Sequence, residues 1–150
     1  MRFVLIDKIL EYEKGKSAVG VKDVTMSEDF LADHFPKFPI MPGALQLEAV
    51  LQLASWLVFV SKVYTVKTKV AEIKGVKYSG MVRPGDRMVL NVELTSMDDR
   101  GVEFKAKVLV DDKVKSSVKL GKLSYVNIEE LEDPKEAKAF FEMLTQANNK

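Results

Sequence analysis

The sequence predicts an α+β domain in which an antiparallel sheet wraps around one enclosed helix. The segment from about 44 to 60 has helical spacing but is apolar almost all round, so other elements must enclose it. Six further segments alternate between apolar and polar residues and are separated by short turn sequences, which is the pattern of antiparallel strands. With 150 residues and 47% hydrophobic content, the chain is long enough to build one such core.

The predicted elements follow one another in a simple order along the chain. Strands over 2–13 and 17–25 form a hairpin, because Lys14-Gly15-Lys16 lies between them as a turn. A short helical turn is predicted at 27–30, and prolines at positions 36, 39 and 42 then exclude regular structure up to Gly43. After the enclosed helix, strands are predicted at about 67–79, 87–98, 101–110 and 113–124.

The segment 127–150 has a different character and is predicted to be a C-terminal helical extension of a domain formed by residues 1–126. Its helix start is marked by Asp133 as the N-cap, Pro134 at the first helical position and an acid soon afterwards. We expect its apolar stripe to pack on the domain or on a neighbouring subunit. The stripe consists of Ala137, Phe140, Phe141 and Leu144.

Composition excludes several classes of function. The chain has no cysteine and one histidine, which excludes thiol catalysis and disulfides and argues against a zinc site. The net charge of +1 and the lack of aromatic residues interleaved with basic ones argue against nucleic-acid binding. An acid already at position 7 argues against a secretory signal, and polar residues within the enclosed helix argue against a membrane span. We therefore expect a cytoplasmic protein with no membrane partner.

Three candidate groups for acid–base chemistry lie within fifteen residues of one another. The only histidine, His34, titrates near neutral pH. Glu48 is a carboxylate within the enclosed helix, where an unpaired charge would be costly. Gly43 begins that helix, where free backbone N–H groups can hold a developing negative charge. Each also has a plain structural interpretation: a loop histidine, a hydrogen-bonded core carboxylate and a glycine that permits a turn.

The same segment resembles the active-site segment of the β-hydroxyacyl-(acyl carrier protein) dehydratases. The resemblance is carried by the run LADHFPKFPIMPGALQLEAVLQ at positions 31–52, which fixes histidine, prolines, glycine and glutamate at set spacings. A second match is YSGMVRPGD at 78–86, and a weaker one is RFVLID at 2–7. The resemblance covers about residues 2–126. It implies the hotdog fold, in which an antiparallel sheet wraps around one long central helix.

The resemblance also implies an activity: dehydration of (3R)-3-hydroxyacyl-acyl carrier protein thioesters to trans-2-enoyl thioesters, in fatty-acid or related lipid and polyketide synthesis. It implies that His34 takes the C2 proton, that Glu48 handles the departing water, and that the Gly43 N–H binds the thioester oxygen. No metal or other cofactor is expected, since the phosphopantetheine arm arrives on the substrate's carrier. The alternatives are a hotdog thioesterase and a non-catalytic acyl-binding subunit.

Further site residues are predicted around these three groups. Gln52 lies one turn after Glu48 and is equally well explained as a group that orients Glu48 and as a core amide. An apolar slot for the acyl chain is predicted from Phe35, Phe38, Ile40, Met41 and Leu45, although ordinary core packing explains any one of them as well.

The expected partners are an acyl carrier protein or coenzyme A thioester and a second copy of the chain. The resemblance implies a homodimer whose two protomers share each active site, with a hexamer as a possible further assembly. Residues 62–87 include seven basic and two acidic side chains, which suits an acidic carrier protein. The candidate contacts are Lys37, Arg83 and Arg87, with solvated surface residues as the alternative.

Overall fold

The structure is a computed structural model and describes residues 4–32 and 37–146. Its six strands form one antiparallel sheet, and its long helix lies against the sheet. The strands are β1 (Lys8–Glu13), β2 (Ser17–Asp23), β3 (Val66–Tyr78), β4 (Arg87–Met97), β5 (Gly101–Val110) and β6 (Lys113–Asn127), and the α-helices are α1 (Gly43–Ser61) and α2 (Pro134–Gln146). The order across the sheet is β1-β2-β4-β5-β6-β3. The chain therefore passes from β2 through α1 to β3, which lies at the opposite edge of the sheet from β1.

Helix α1 is enclosed by the sheet, as its composition predicts. Ala49, Leu53 and Val58 are fully buried, and the helix packs mainly against β2 to β6. Its 19 residues are long and apolar enough to cross a membrane, but 56% of that stretch is buried inside the protein. Within the described residues, α1 is therefore the core helix of a folded domain.

The inner face of the sheet follows the two-residue period of a strand. In β5, Val102, Phe104 and Val108 are buried and alternate with residues that face outwards. The chain then turns into β6 through Asp111 and Asp112, whose φ angles of 50° and 63° are those of a type I′ hairpin. Aspartate tolerates this left-handed conformation better than most residues, which explains the turn.

Strand β3 forms one edge of the sheet. The chain reaches it through Val63 and Tyr64, which have φ angles of 54° and 63° and follow the C-cap of α1. Strand β3 pairs with β6 along one side, and within the described residues no strand pairs with its other side. Thirteen residues of strand edge are thus available for pairing with another chain.

Several predicted boundaries differ from the structure, since β2 ends at Asp23 and not at residue 25, and β6 runs to Asn127 and not to residue 124. Within the described residues the first strand begins at Lys8, and residues 4–7 are not part of it. The consecutive residues Leu5 and Ile6 are both buried, whereas an alternating strand buries only every second residue on one face. The short helical turn is a 3-10 helix at Asp29–Leu31 and not at 27–30, and its N-cap residue Glu28 makes no side-chain capping bond.

Helix α2 packs on the domain. The carboxylate of Asp133 accepts a hydrogen bond from the Lys135 N–H at 2.9 Å, as expected of an N-cap. Ala137, Phe141 and Leu144 are buried and belong to the same hydrophobic core as α1. The side chains of the extension therefore belong to the core of the domain. Strand β6 runs to residue 127, one position beyond the predicted boundary between the domain, residues 1–126, and the extension.

Candidate active site

Glu48 lines an open cavity of about 830 Å³ between α1, the start of β3 and the C-terminal extension. Glu48, Gln52 and Ser55 lie along the α1 side of this cavity, at the helical spacing that places them on one face. Cavities of this size are typical of sites for small organic ligands. The remaining lining residues are Val4, Ile6, Leu51, Trp56, Lys67, Thr68, Val70, Leu123, Leu131, Glu132, Glu136, Ala137, Phe140 and Leu144.

A short chain of hydrogen bonds holds the Glu48 side chain. The Gln52 Nε2 donates to Glu48 Oε1 at 3.3 Å, and the Gln52 Oε1 accepts from the backbone N–H of Leu5 at 2.9 Å. Because Leu5 is buried and fixed in the core, Gln52 is held in place. The bond to the Leu5 backbone is the one expected of a core amide, and the bond to Glu48 is the one expected of an orienting group. The role of Gln52 in orienting Glu48 therefore stays a prediction.

We predict that Gln52→Leu lowers kcat about tenfold with little change in KM, because the Glu48 carboxylate loses its positioning bond. The melting temperature should also fall, since the Leu5 N–H loses its acceptor at a cost of about 1–3 kcal/mol. Ser61→Ala is the matched control, since Ser61 Oγ likewise accepts from a backbone N–H, that of Gly15, at 2.8 Å. The measurement is steady-state kinetics. If kcat falls equally in both variants, Gln52 has only a structural role.

Gly43 is the first residue of α1, so its N–H has no acceptor within the helix. A side chain at this position would collide with the ring of Tyr78, because a Cβ atom there would lie 2.9 Å from Tyr78 Cε1. The glycine therefore serves close packing as well as the turn after Pro42. Its predicted role in holding the thioester oxygen stays a prediction.

The proline-rich segment before α1 falls partly outside the described residues. His34 and Phe35 both lie outside them, so their predicted roles stay predictions. Met41 is buried, and its N–H donates to the Val82 carbonyl at 2.8 Å, while Ile40 and Leu45 are partly buried.

The residues predicted to form the acyl slot lie outside the cavity that contains Glu48. Phe38, Ile40, Met41 and Leu45 do not line that cavity. The physical reason is clearest for Met41, whose backbone is tied to Val82 and whose side chain fills the core. A slot formed by these residues stays a prediction.

The three predicted contacts for a carrier protein differ in their surroundings. Lys37 is exposed, and the exposed Arg83 guanidinium lies 4.5 Å from the centre of the Phe38 ring. Arg87 donates to Asp23 at 2.8 Å and 3.3 Å, and this hydrogen bonding lowers the pKa of Asp23 below its ordinary value. The Arg87 charge is therefore shared with Asp23, and contact of these three residues with a carrier protein stays a prediction.

Several cavity residues were missed by sequence reasoning. The Lys67 Nζ lies 4.1 Å from the centre of the Trp56 ring and 2.9 Å from Glu132 Oε1, which ties β3 to the extension. Phe140 of α2 stacks on Trp56 with ring centres 5.7 Å apart. The apolar stripe of α2 was the sequence signal that could have identified Phe140, but such a stripe does not indicate which surface it packs against. Within residues 4–32 and 37–146, no three acidic, histidine or cysteine side chains are grouped as metal ligands.

Comparison with known proteins identifies the family. The sequence profile described as the FabA-like domain matches residues 1–119. The chain belongs to this family. The FabA-like match ends within β6, so α2 lies beyond it.

Individual relatives agree with this assignment. The 3-hydroxyacyl-[acyl-carrier-protein] dehydratase FabZ of Albidiferax ferrireducens is 41% identical over 117 residues, which cover 75% of this chain and 77% of the relative. The Streptococcus mutans protein smu.793, solved with acetyl CoA, has a TM-score of 0.66 at 12% identity and covers 85% of this chain and 94% of its own. The dehydratase heterocomplex ApeI:P of Xenorhabdus doucetiae gives 0.58 at 21% identity, over 76% of this FabA-like chain and 92% of its own. The structural likeness confirms the hotdog fold.

Proposed function

We propose that this protein catalyses the dehydration of (3R)-3-hydroxyacyl-acyl carrier protein thioesters to trans-2-enoyl thioesters. The observation that carries the proposal is the Glu48 carboxylate, which accepts a hydrogen bond from Gln52 at the wall of an open cavity. It stands in a chain of the FabA-like family, 41% identical to a protein named as this dehydratase. The reaction serves fatty-acid synthesis or a related lipid or polyketide route.

The chemistry requires one base, one acid and one site for negative charge. His34 removes the proton from C2, and the Gly43 N–H stabilises the charge that builds on the thioester oxygen. The C3–O bond then breaks as the Glu48 carboxyl group gives its proton to the departing hydroxyl, which leaves as water. The double bond forms between C2 and C3. The reaction needs no metal or redox cofactor in this proposal, because every step is a proton transfer or a bond cleavage that these groups supply.

A homodimer with shared sites belongs to the same proposal. The unpaired edge of β3 suits edge-to-edge pairing with β3 of a second copy, which would remove an exposed strand edge. In that arrangement His34 of one protomer would serve Glu48 of the other. A hexamer would be an assembly of such dimers. The carrier, whether acyl carrier protein or coenzyme A, would approach Lys37 and Arg83, and a cytoplasmic location fits a soluble carrier.

The reverse reaction provides the test. Hydration of a 2-enoyl thioester removes its conjugated ultraviolet absorbance, and wild-type protein should show this loss with carrier-protein or coenzyme A thioesters. We predict that His34→Ala lowers the rate about 100-fold to 10,000-fold, the usual contribution of a general base. Circular dichroism should show an unchanged fold.

Two other outcomes would overturn the proposal. Release of free thiol from an acyl thioester, without hydration of the enoyl substrate, would identify a thioesterase. Binding of acyl thioesters with no turnover of either kind would identify a non-catalytic acyl-binding subunit. Equal rates for wild type and His34→Ala would remove the histidine from the mechanism.

A further inference from the structure

The cavity at Glu48 has a wall that the family assignment does not explain. The FabA-like match ends at residue 119, yet α2 contributes Ala137, Phe140 and Leu144 to the lining of the cavity that contains Glu48. A ligand whose reacting atoms lie beside Glu48 therefore has α2 as part of its surroundings. The question is what α2 does there.

Ring stacking and an ion pair hold this wall of the cavity, formed by Ala137, Phe140 and Leu144, against α1 and β3. Phe140 stacks on Trp56, with ring centres 5.7 Å apart and planes inclined by 25°. Trp56 is itself only 8% exposed and carries the Lys67 ammonium over its ring. Lys67 also pairs with Glu132, just before α2, and the two side chains are 13% and 24% exposed. An ion pair this well sheltered anchors the extension more firmly than an exposed pair would.

The helical rise of α1 gives the order of magnitude of the separation between Glu48 and this wall. Trp56 follows Glu48 by eight positions on α1, which is about 12 Å along the helix axis at 1.5 Å per residue. An extended chain advances about 1.2 Å per bond, judged from the 3.6 Å that three backbone bonds span. About ten bonds therefore separate the reacting carbon from the Trp56–Phe140 pair.

We propose that Phe140 and its neighbours on α2 form the far wall of the acyl-chain compartment beside Glu48 and set the longest acyl chain that the protein accepts. The compartment extends from Glu48 past Gln52 to Phe140, and chains of about twelve carbons reach the wall. This inference rests on the proposed function, because it takes the ligand to be an acyl thioester. It makes α2 a specificity-determining element that lies outside the family match.

The only tryptophan of the chain lies in this wall, so binding can be followed without turnover. Saturated acyl-coenzyme A thioesters with six to sixteen carbons are titrated while Trp56 fluorescence is recorded. For wild type we expect affinity to rise about fourfold per buried methylene and to stop rising near twelve carbons. For Phe140→Ala, affinity should keep rising, so that the sixteen-carbon to ten-carbon affinity ratio increases at least tenfold over wild type.

Two further variants sharpen the test. Ala137→Leu adds bulk to the same wall and should shorten the preferred chain, whereas Met143→Ala changes an exposed α2 residue outside the cavity and should match wild type. If Phe140→Ala fails to fold by circular dichroism, Phe140→Leu replaces it with the same expected direction. A folded variant with an unchanged chain-length profile overturns the inference. A change in mass by light scattering with an unchanged profile also overturns it and makes α2 a contact between copies.

Hydration assays on the same chain lengths separate this inference from the proposed function. If wild type hydrates enoyl thioesters and Phe140→Ala has an unchanged profile, the inference fails alone. If no protein shows turnover but the fluorescence titrations show the expected shift, the proposed activity fails and the wall is retained as that of an acyl-binding compartment.

Discussion

Glu48→Gln is expected to lower the rate of enoyl-thioester hydration by about 100-fold to 10,000-fold, which is the range for loss of a general acid or base. In hydration the Glu48 carboxylate takes a proton from the attacking water, which is the reverse of its step in dehydration, and an amide can carry out neither transfer. It has nearly the same shape, however, and its oxygen can still accept the hydrogen bond from Gln52. The fold should therefore survive, and the loss should fall on kcat. The measurement is the ultraviolet hydration assay at saturating substrate.

A matched substitution on the surface controls for the loss of one negative charge. Glu142 is an exposed carboxylate on α2, and Glu142→Gln makes the same chemical change away from the cavity. Its rate should equal that of wild type. If Glu48→Gln retained more than a tenth of the wild-type kcat, Glu48 would not be the acid in the reaction.

Gly121→Ala is expected to destabilise the fold by about 3 kcal/mol, at the upper end of the usual cost of overpacking a core. Gly121 of β6 lies directly opposite Phe104 of β5, and a Cβ atom there would lie 2.3 Å from the Phe104 ring. Phe104 is fully buried, so its ring has no free space to enter. For a chain of this size the melting temperature should fall by about 10 °C, measured by circular dichroism.

Two companion variants test that explanation. Gly80→Ala also brings a Cβ within 2.8 Å of a neighbour, but that neighbour is the flexible side chain of Lys115, so the melting temperature should hardly change. Phe104→Leu in the Gly121→Ala background should recover part of the loss, since the smaller side chain relieves the overlap. If the double variant is no more stable than Gly121→Ala alone, the clash is not the cause.

The elements with strong local signals were predictable from the sequence. Helix α1 was placed within one residue at each end, because prolines precede it and its apolar run is continuous. Strands β3, β4 and β5 were likewise placed within one residue at each end, because Asp-rich and Gly-rich turns separate them from their neighbours, whereas β6 runs three residues beyond its predicted end. The proximity of Glu48 and Gln52 followed from helical spacing alone.

Features that depend on long-range packing were not predictable in the same way. The spacing of α2 showed an apolar stripe, but only the tertiary structure shows that Phe140 meets Trp56, 84 positions earlier in the chain. The unpaired edge of β3 could not be foreseen either, because alternation predicts a strand and not its neighbours. The segment at residues 4–7 was predicted as a strand because its apolar content was taken for alternation.

The enclosure of α1 has a consequence for the order of events during synthesis. The helix ends at Ser61, whereas the sheet that covers it is complete only at Asn127, 66 residues later. Chains are synthesised at about 5–20 residues per second, so an apolar segment as long as a membrane span emerges several seconds before its cover exists. At the start of that interval only β1 and β2 have been synthesised, and β3, β4 and β5 follow one after another before β6 completes the sheet. The nascent chain is therefore at its most vulnerable to aggregation and chaperone capture midway through translation, well before the cavity and its walls have formed.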